Sequence, residues 1–160
     1  MKWNIMGTGE IGADKVMNFF TTHWGTPEMV ISSGVFDCSK LDGFAAIDEK
    51  EELVGLLTFI ITGHDCEIIS LDSIREGKGI GTMLVEKAEA AARAHGCSRI
   101  HLITTNDNLN ALRFYQKRGY TLCRLHKDAV KEARKIKPQI PLAGYDGIPI
   151  RDEIELEKGL

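Results

Sequence analysis

The sequence predicts an α/β domain with a mixed, mostly antiparallel sheet, and three observations carry that prediction. First, "CEIISLDS" runs into the glycine-rich "REGKGIG", then into a long alanine-rich amphipathic stretch, then into "RIHLITTN". A strand, helix and strand of this length form a βαβ unit whose strands are normally parallel neighbours with a right-handed crossover. Second, "GFAAIDEKEELVGLLTFII" reads as a hairpin, and its second arm is too apolar to be exposed on both faces. Third, the chain closes on "IRDEIELEK", whose alternation suits an edge strand. With no internal repeat, low-complexity tract or long Pro/Gly/Ser linker, residues 1–160 read as one domain.

The elements follow in chain order. Val16, Phe19 and Phe20 recur at helical spacing between Gly12 and His23, and "WGTPEMV" stops that helix at Gly25 and Pro27. Phe44 to Ile47 and Leu53 to Ile61 are the hairpin strands around an acidic turn at Asp48 to Glu52. After the strand from Cys66, the residues Ile80, Leu84, Val85, Ala88, Ala91, Ala92 and His95 mark one face of the long helix, with Gly96 as its left-handed stop. "DNLNALRFYQKRGY" is a shorter helix with an Asp or Asn cap and Gly119 as stop. Tyr120 to Leu125 is a strand, and a polar helix from Asp128 to Lys137 ends at Pro138 and Pro141.

Composition narrows the function. At 160 residues, 43% hydrophobic and 27% charged, the chain has an ordinary globular make-up and needs no disulfide staple. Its formal charge of -3 and scattered basic residues argue against nucleic acid as the partner, because phosphate binding wants a concentrated basic face. Cys38, Cys66, Cys97 and Cys123 lack metal-ligand or CxxC spacing, and three sit in or beside apolar runs as buried free thiols do, so no metal and a reducing cytoplasm are expected. "MKWNIMGTGEIG" lacks the pattern of a secretory signal, and no apolar run approaches the roughly 20 residues of a membrane span.

Three phosphate-binding patterns compete for the glycine loop. The P-loop pattern GxxxxGK[ST] fails at Asp72, which stands where its first glycine belongs, and at Gly79, which follows Lys78 in place of Ser or Thr. The dinucleotide fingerprint GxGxxG fits Gly77 and Gly79, but Thr82 holds the third position and too little chain follows for a second mononucleotide half. The third is [Q/R]xxGx[G/A] between a strand and a long helix, and "EGKGIG" resembles this pyrophosphate loop of the GNAT superfamily of N-acetyltransferases, with Gly79 and Gly81 on the two small positions. Residues without side chains let the backbone N–H groups at a helix start reach a pyrophosphate, helped by the helix dipole. Glu76 departs from the pattern where Gln or Arg is usual, and Arg75 stands one residue upstream.

"NLNALRFYQKRGY" resembles the family's second signature, Asn-x-x-Ala-x-x-x-Tyr-x-x-x-Gly-[Phe/Tyr], at Asn108, Ala111, Tyr115, Gly119 and Tyr120. Helical geometry puts Asn108, Ala111 and Tyr115 on one side of the helix. The resemblance implies acetyl-CoA as co-substrate, cradled by Ser73, Arg75, Gly77, Lys78, Gly79, Gly81 and Thr82, with Asn108 on the pantetheine and a backbone N–H near Leu71 polarising the thioester. It also implies that Tyr115 is the general acid for the departing thiolate and that Glu67, early in the preceding strand, is the candidate base; His64 and His101 are weaker candidates. A phenol of pKa about 10 stays protonated near neutrality and matches a thiolate of comparable basicity.

Direct attack of an amine on a thioester requires no protein nucleophile, so a ternary complex is expected. The acceptor is a small-molecule or protein amine, with no nucleic acid and no membrane as partner and a homodimer through the C-terminal strand as an open arrangement. The reading from another class is a non-catalytic acyl-CoA binding or sensing module on the same scaffold, against which Tyr115 argues.

Overall fold

The computed structural model describes residues 3–75 and 77–160. Along the chain these form β1 (Asn4–Gly7), α1 (Thr8–Ile11), α2 (Ala13–Trp24), β2 (Glu28–Ile31), β3 (Gly34–Asp37), a 3-10 turn (Cys38–Lys40), β4 (Asp42–Ile47), β5 (Leu53–Thr62) and β6 (Asp65–Ser73). They continue with α3 (Ile80–Ala94), β7 (Arg99–Thr105), α4 (Leu109–Lys117), β8 (Thr121–His126), α5 (Ala129–Ile136), a 3-10 turn (Tyr145–Gly147) and β9 (Glu153–Gly159). The chain is α/β with a mixed sheet, as its sequence predicts. Two compact units divide it: one from β1, α1, α2, β4 to α3 and the start of β7, the other from Met29–Phe36 and His101–Gly159.

In the first unit β1, β4, β5 and β6 are successive antiparallel neighbours, and β6 is followed by the parallel start of β7. Helix α2 buries Val16, Phe19 and Phe20, the three residues whose spacing announces it. Helix α3 buries Ile80, Leu84, Val85, Ala88 and Ala92, together with the Glu89 carboxylate; the helix then stops at His95, and Gly96 has φ 79°. Close approach of α3 to β5 depends on Gly55, where a Cβ would lie 2.5 Å from Ile80 Cγ2. The β5–β6 ladder shifts register between Thr58 and Phe59: Thr58 faces Ser70 and Phe59 faces Ile68, which leaves Ile69 as an extra residue. Such bulges bend a strand and re-aim its side chains.

In the second unit the strand order is β7, β9, β8, with β8 and β9 antiparallel. This corrects the edge-strand reading of the C-terminal segment, because β9 has a neighbour on each side. Its Leu156 is 0% exposed, and Glu153 is buried with its carboxylate accepting from the backbone N–H (2.9 Å) and hydroxyl (2.5 Å) of Ser32. A satisfied buried glutamate mimics the polar half of a solvent-facing alternation. The true edge is β8, where Leu122 and Leu125 are exposed. The segment from Pro138 to Asp152 is tied down by side chains. Arg134 donates to the carbonyls of Ile140, Pro141 and Ile150, and Asn106 donates to the Pro149 carbonyl while accepting from the N–H groups of Arg151 and Asp152.

Candidate functional site

The glycine loop closes a strand that is fixed up to its last residue. Ile74 N–H donates to Val54 O at 3.0 Å, Ser73 Oγ donates to Arg75 O at 3.2 Å, and Arg75 Nη2 donates to Asp48 Oδ2 at 2.8 Å. Arg75 also lies over the Trp3 ring, 5.3 Å from its centroid. Asp48 is held below the usual carboxylate range by the backbone N–H of Glu52 first, then by that of Lys50 and by Arg75. The sequence places Arg75 near a pyrophosphate; the structure shows its guanidinium engaged with the β4–β5 turn. Glu76, the irregular position of the loop pattern, lies outside the described residues.

Gly77 and Gly79 have φ of 74° and 78°, a region that L side chains rarely adopt, and nothing stands within 4 Å of where a Cβ would be on either. Gly79 is the residue from which α3 starts, and its carbonyl accepts from Met83 N–H at 3.1 Å. The N–H groups of Ile80, Gly81 and Thr82 open a 15-residue helix, where the first turn has no intrahelical acceptors and the dipole is positive. No acidic side chain occupies that turn. Lys78 is exposed on the loop and Thr82 half-buried. An open backbone, with no Cβ at Gly77, Gly79 or Gly81, at the positive end of a long helix fits a pyrophosphate.

Leu71, Ser73 and Glu67 lie on β6. Leu71 pairs with Leu57 and Glu67 with Ile60, all half-buried or buried. On this strand sits a residue that sequence reading used only as a mismatch to the P-loop pattern. Asp72 Oδ1 accepts from the indole Nε1 of Trp24 at 3.1 Å, and its buried Oδ2 has no hydrogen-bond partner among the described residues. Burial pushes this carboxyl up to about 6, against the lowering effects of Trp24 and His23. Nearby, Thr58 Oγ1 and Ser70 Oγ are 2.5 Å apart, and burial pushes the Cys38 thiol up to about 11. Only local hydrophobicity speaks for these partners in the sequence.

Within the second unit, Asn108 caps α4, its Oδ1 accepting from Ala111 N–H at 3.1 Å. Tyr115 is 5% exposed and stands edge-to-face with Tyr120 (5.4 Å between ring centroids) and Phe114 (5.1 Å). His101 of β7 and His126 of β8 flank Glu155 of β9: His126 Nε2 is 3.2 Å from Oε1 and His101 Nδ1 is 3.6 Å from Oε2. Among the described residues, no group of three or more His, Cys, Asp or Glu is arranged to hold a metal ion. His64, the other weak candidate, is exposed with Nδ1 against Gly96 O at 3.2 Å. Cys38, Cys66 and Cys97 are buried free thiols and Cys123 is exposed. Burial pushes Cys66 up to about 12.

The fold and these features define a class. The chain belongs to the Acetyltransferase (GNAT) family, whose family model matches residues 14–120. The protein YxbD of Bacillus subtilis (strain 168) is 55% identical over 157 residues, covering 98% of this chain and 99% of that protein. Among solved structures, the IAA acetyltransferase of Bacillus cereus ATCC 14579 superposes with a TM-score of 0.72 at 19% identity, over 99% of this chain and 100% of its own. A GNAT family acetyltransferase from Elizabethkingia anophelis with acetyl-CoA bound does so with a TM-score of 0.67 at 20% identity, over 76% of this chain and 78% of its own. No helix among the described residues is long and apolar enough to cross a membrane.

Proposed function

We propose that this protein transfers the acetyl group of acetyl-CoA to a primary amine by direct attack in a ternary complex. The observation that carries the reading is the helix start at Gly79: two left-handed glycines and the open backbone of α3, in a chain of this family. The pyrophosphate of CoA takes the N–H groups of that turn, with Lys78 and the Thr82 hydroxyl on phosphate oxygens and Gly77, Gly79 and Gly81 giving the backbone access. Ser73 and Arg75 hold the loop's entry, and Asn108 reaches the pantetheine.

Bound acetyl-CoA supplies an acyl carbon already activated as a thioester. A backbone N–H near Leu71 polarises its carbonyl, and Tyr115 gives a proton to the departing thiolate. The raised pKa values of Cys38 and Cys66 support attack by the amine itself, since a thiol near 11 or 12 is almost wholly protonated at neutrality and a poor nucleophile. The acceptor is a small-molecule or protein amine.

The test is released thiol from acetyl-CoA with a panel of primary amines, beside calorimetric titration of CoA. Turnover on at least one amine with micromolar CoA binding is the expected result. CoA binding with no turnover on any amine makes the protein an acyl-CoA sensing module, and absence of CoA binding overturns both readings.

A further inference from the structure

Asp72 is one of two side chains among the described residues with a buried polar atom left without a hydrogen-bond partner, and it is the only carboxylate of the two. Buried polar atoms are almost always paired, so an unpaired one on a carboxylate asks for a use. Trp24 takes one oxygen and fixes the plane of the group; the other oxygen is uncommitted. Register puts Asp72 opposite Leu56 and Ser70 opposite Thr58, so the carboxyl shares a sheet face with the Thr58–Ser70 hydroxyl pair. Among the described residues, Trp24 and His23 from α2 act on its charge and Cys38 from the 3-10 turn feels it; none of these is a permanent cation that would hold the carboxylate ionised. Along the chain Asp72 is the residue next to Leu71, about 3.8 Å away between Cα atoms.

We infer that Asp72 receives the proton of the acceptor amine, its free Oδ2 taking that proton directly or across one water while Trp24 holds Oδ1. The inference rests on the acetyl-transfer reading above. The ammonium R–NH3+ gives one proton to the Asp72 carboxylate. The lone pair of the amine forms the C–N bond to the acetyl carbon as the C–S bond breaks, and the C–S electron pair leaves on sulfur. The thiolate takes the Tyr115 proton and the phenol regains one from solvent, while the surplus proton on nitrogen and the one on Asp72 both pass to solvent. The sum is R–NH3+ and acetyl-CoA giving the amide, CoA thiol and one proton.

A general base works best when its pKa lies near the working pH, and a carboxyl raised to about 6 is far closer than an ordinary aspartate. Glu67, the candidate from sequence, shares the face of Ile60 but lies five residues back along β6, roughly 15 Å by strand rise.

The test compares wild type, Asp72→Asn, Asp72→Glu and Glu67→Gln from pH 5 to 9. Thiol release is followed with acetyl-CoA and n-hexylamine, tyramine, spermidine or a lysine peptide, whichever the wild type turns over fastest. Expected are a kcat lowered about 100-fold in Asp72→Asn, loss of the ionisation near pH 6 from kcat/KM, partial rescue by Asp72→Glu, and an unchanged Kd for CoA. Far-ultraviolet circular dichroism and thermal unfolding report folding of each variant. Survival of that ionisation in Asp72→Asn, or its loss in Glu67→Gln alone, overturns the assignment. A wild type that binds CoA but releases no thiol with any amine overturns the transfer reading and this base with it.

Discussion

The indole of Trp24 and the carboxyl of Asp72, 48 residues apart in sequence, meet in a 3.1 Å hydrogen bond that leaves the second carboxylate oxygen buried and unpaired. This arrangement makes stability depend on pH. The carboxyl titrates near 6 when folded against 3.8 for an ordinary aspartate, so between those values the folded chain binds more protons than the unfolded one. Stability therefore falls as pH rises from about 4 to 6. Asp72→Asn keeps an acceptor for Trp24 without the buried charge. It is expected to stabilise the protein at pH 8 by up to about 3 kcal/mol, with the gain gone near pH 4, as read from urea unfolding at both pH values.

Gly79 sits at φ 78° with open space around it, so an added methyl meets no neighbour and the cost is in the backbone. Gly79→Ala should lower stability by about 1 kcal/mol and weaken CoA binding at least tenfold, because relaxing φ turns the N–H groups of α3 away from the pyrophosphate. Calorimetry with CoA and thermal unfolding read the two effects separately.

Tyr115 tests the acid step. Tyr115→Phe keeps the ring contacts with Phe114 and Tyr120 and removes only the hydroxyl. A kcat lowered 10- to 100-fold at unchanged CoA affinity is expected; an equal loss in both would make Tyr115 a binding residue.

Asn108 caps α4, and substitutions can separate that role from the proposed contact with pantetheine. Its Oδ1 caps α4, which Asn108→Asp preserves and Asn108→Ala loses at a cost of about 1 kcal/mol. Only the amide Nδ2 can donate to pantetheine, so both variants should weaken CoA binding while Asn108→Ala alone lowers the melting temperature.

Gly144 lies against Asp107, whose buried carboxylate accepts from Thr105 Oγ1 and from the N–H of Tyr145. A Cβ there would collide with Asp107 Oδ2 and come within 2.9 Å of Ile150 Cδ1. Gly144→Ala is therefore expected to release the segment around Tyr145, seen as faster proteolytic cleavage between residues 138 and 150.

What the sequence determined by itself is the local grammar of the fold. Periodicity marks α2 and α3, glycines mark the loop and the helix stops, and the spacing from Asn108 to Tyr120 marks α4, because each is a property of neighbouring residues. The four-residue strands β1, β2 and β3 left no such mark, being too short for an alternation to stand out. Tertiary structure decided the rest. It placed β9 between two strands by burying Glu153 under Ser32, set Glu155 between His101 and His126, and engaged Arg75 with Asp48. It also raised the Asp72 carboxyl through burial beneath Trp24. A side chain's charge state and hydrogen bonds depend on which distant residues exclude water from it, and that is written in the packing of the chain rather than in any short stretch of it.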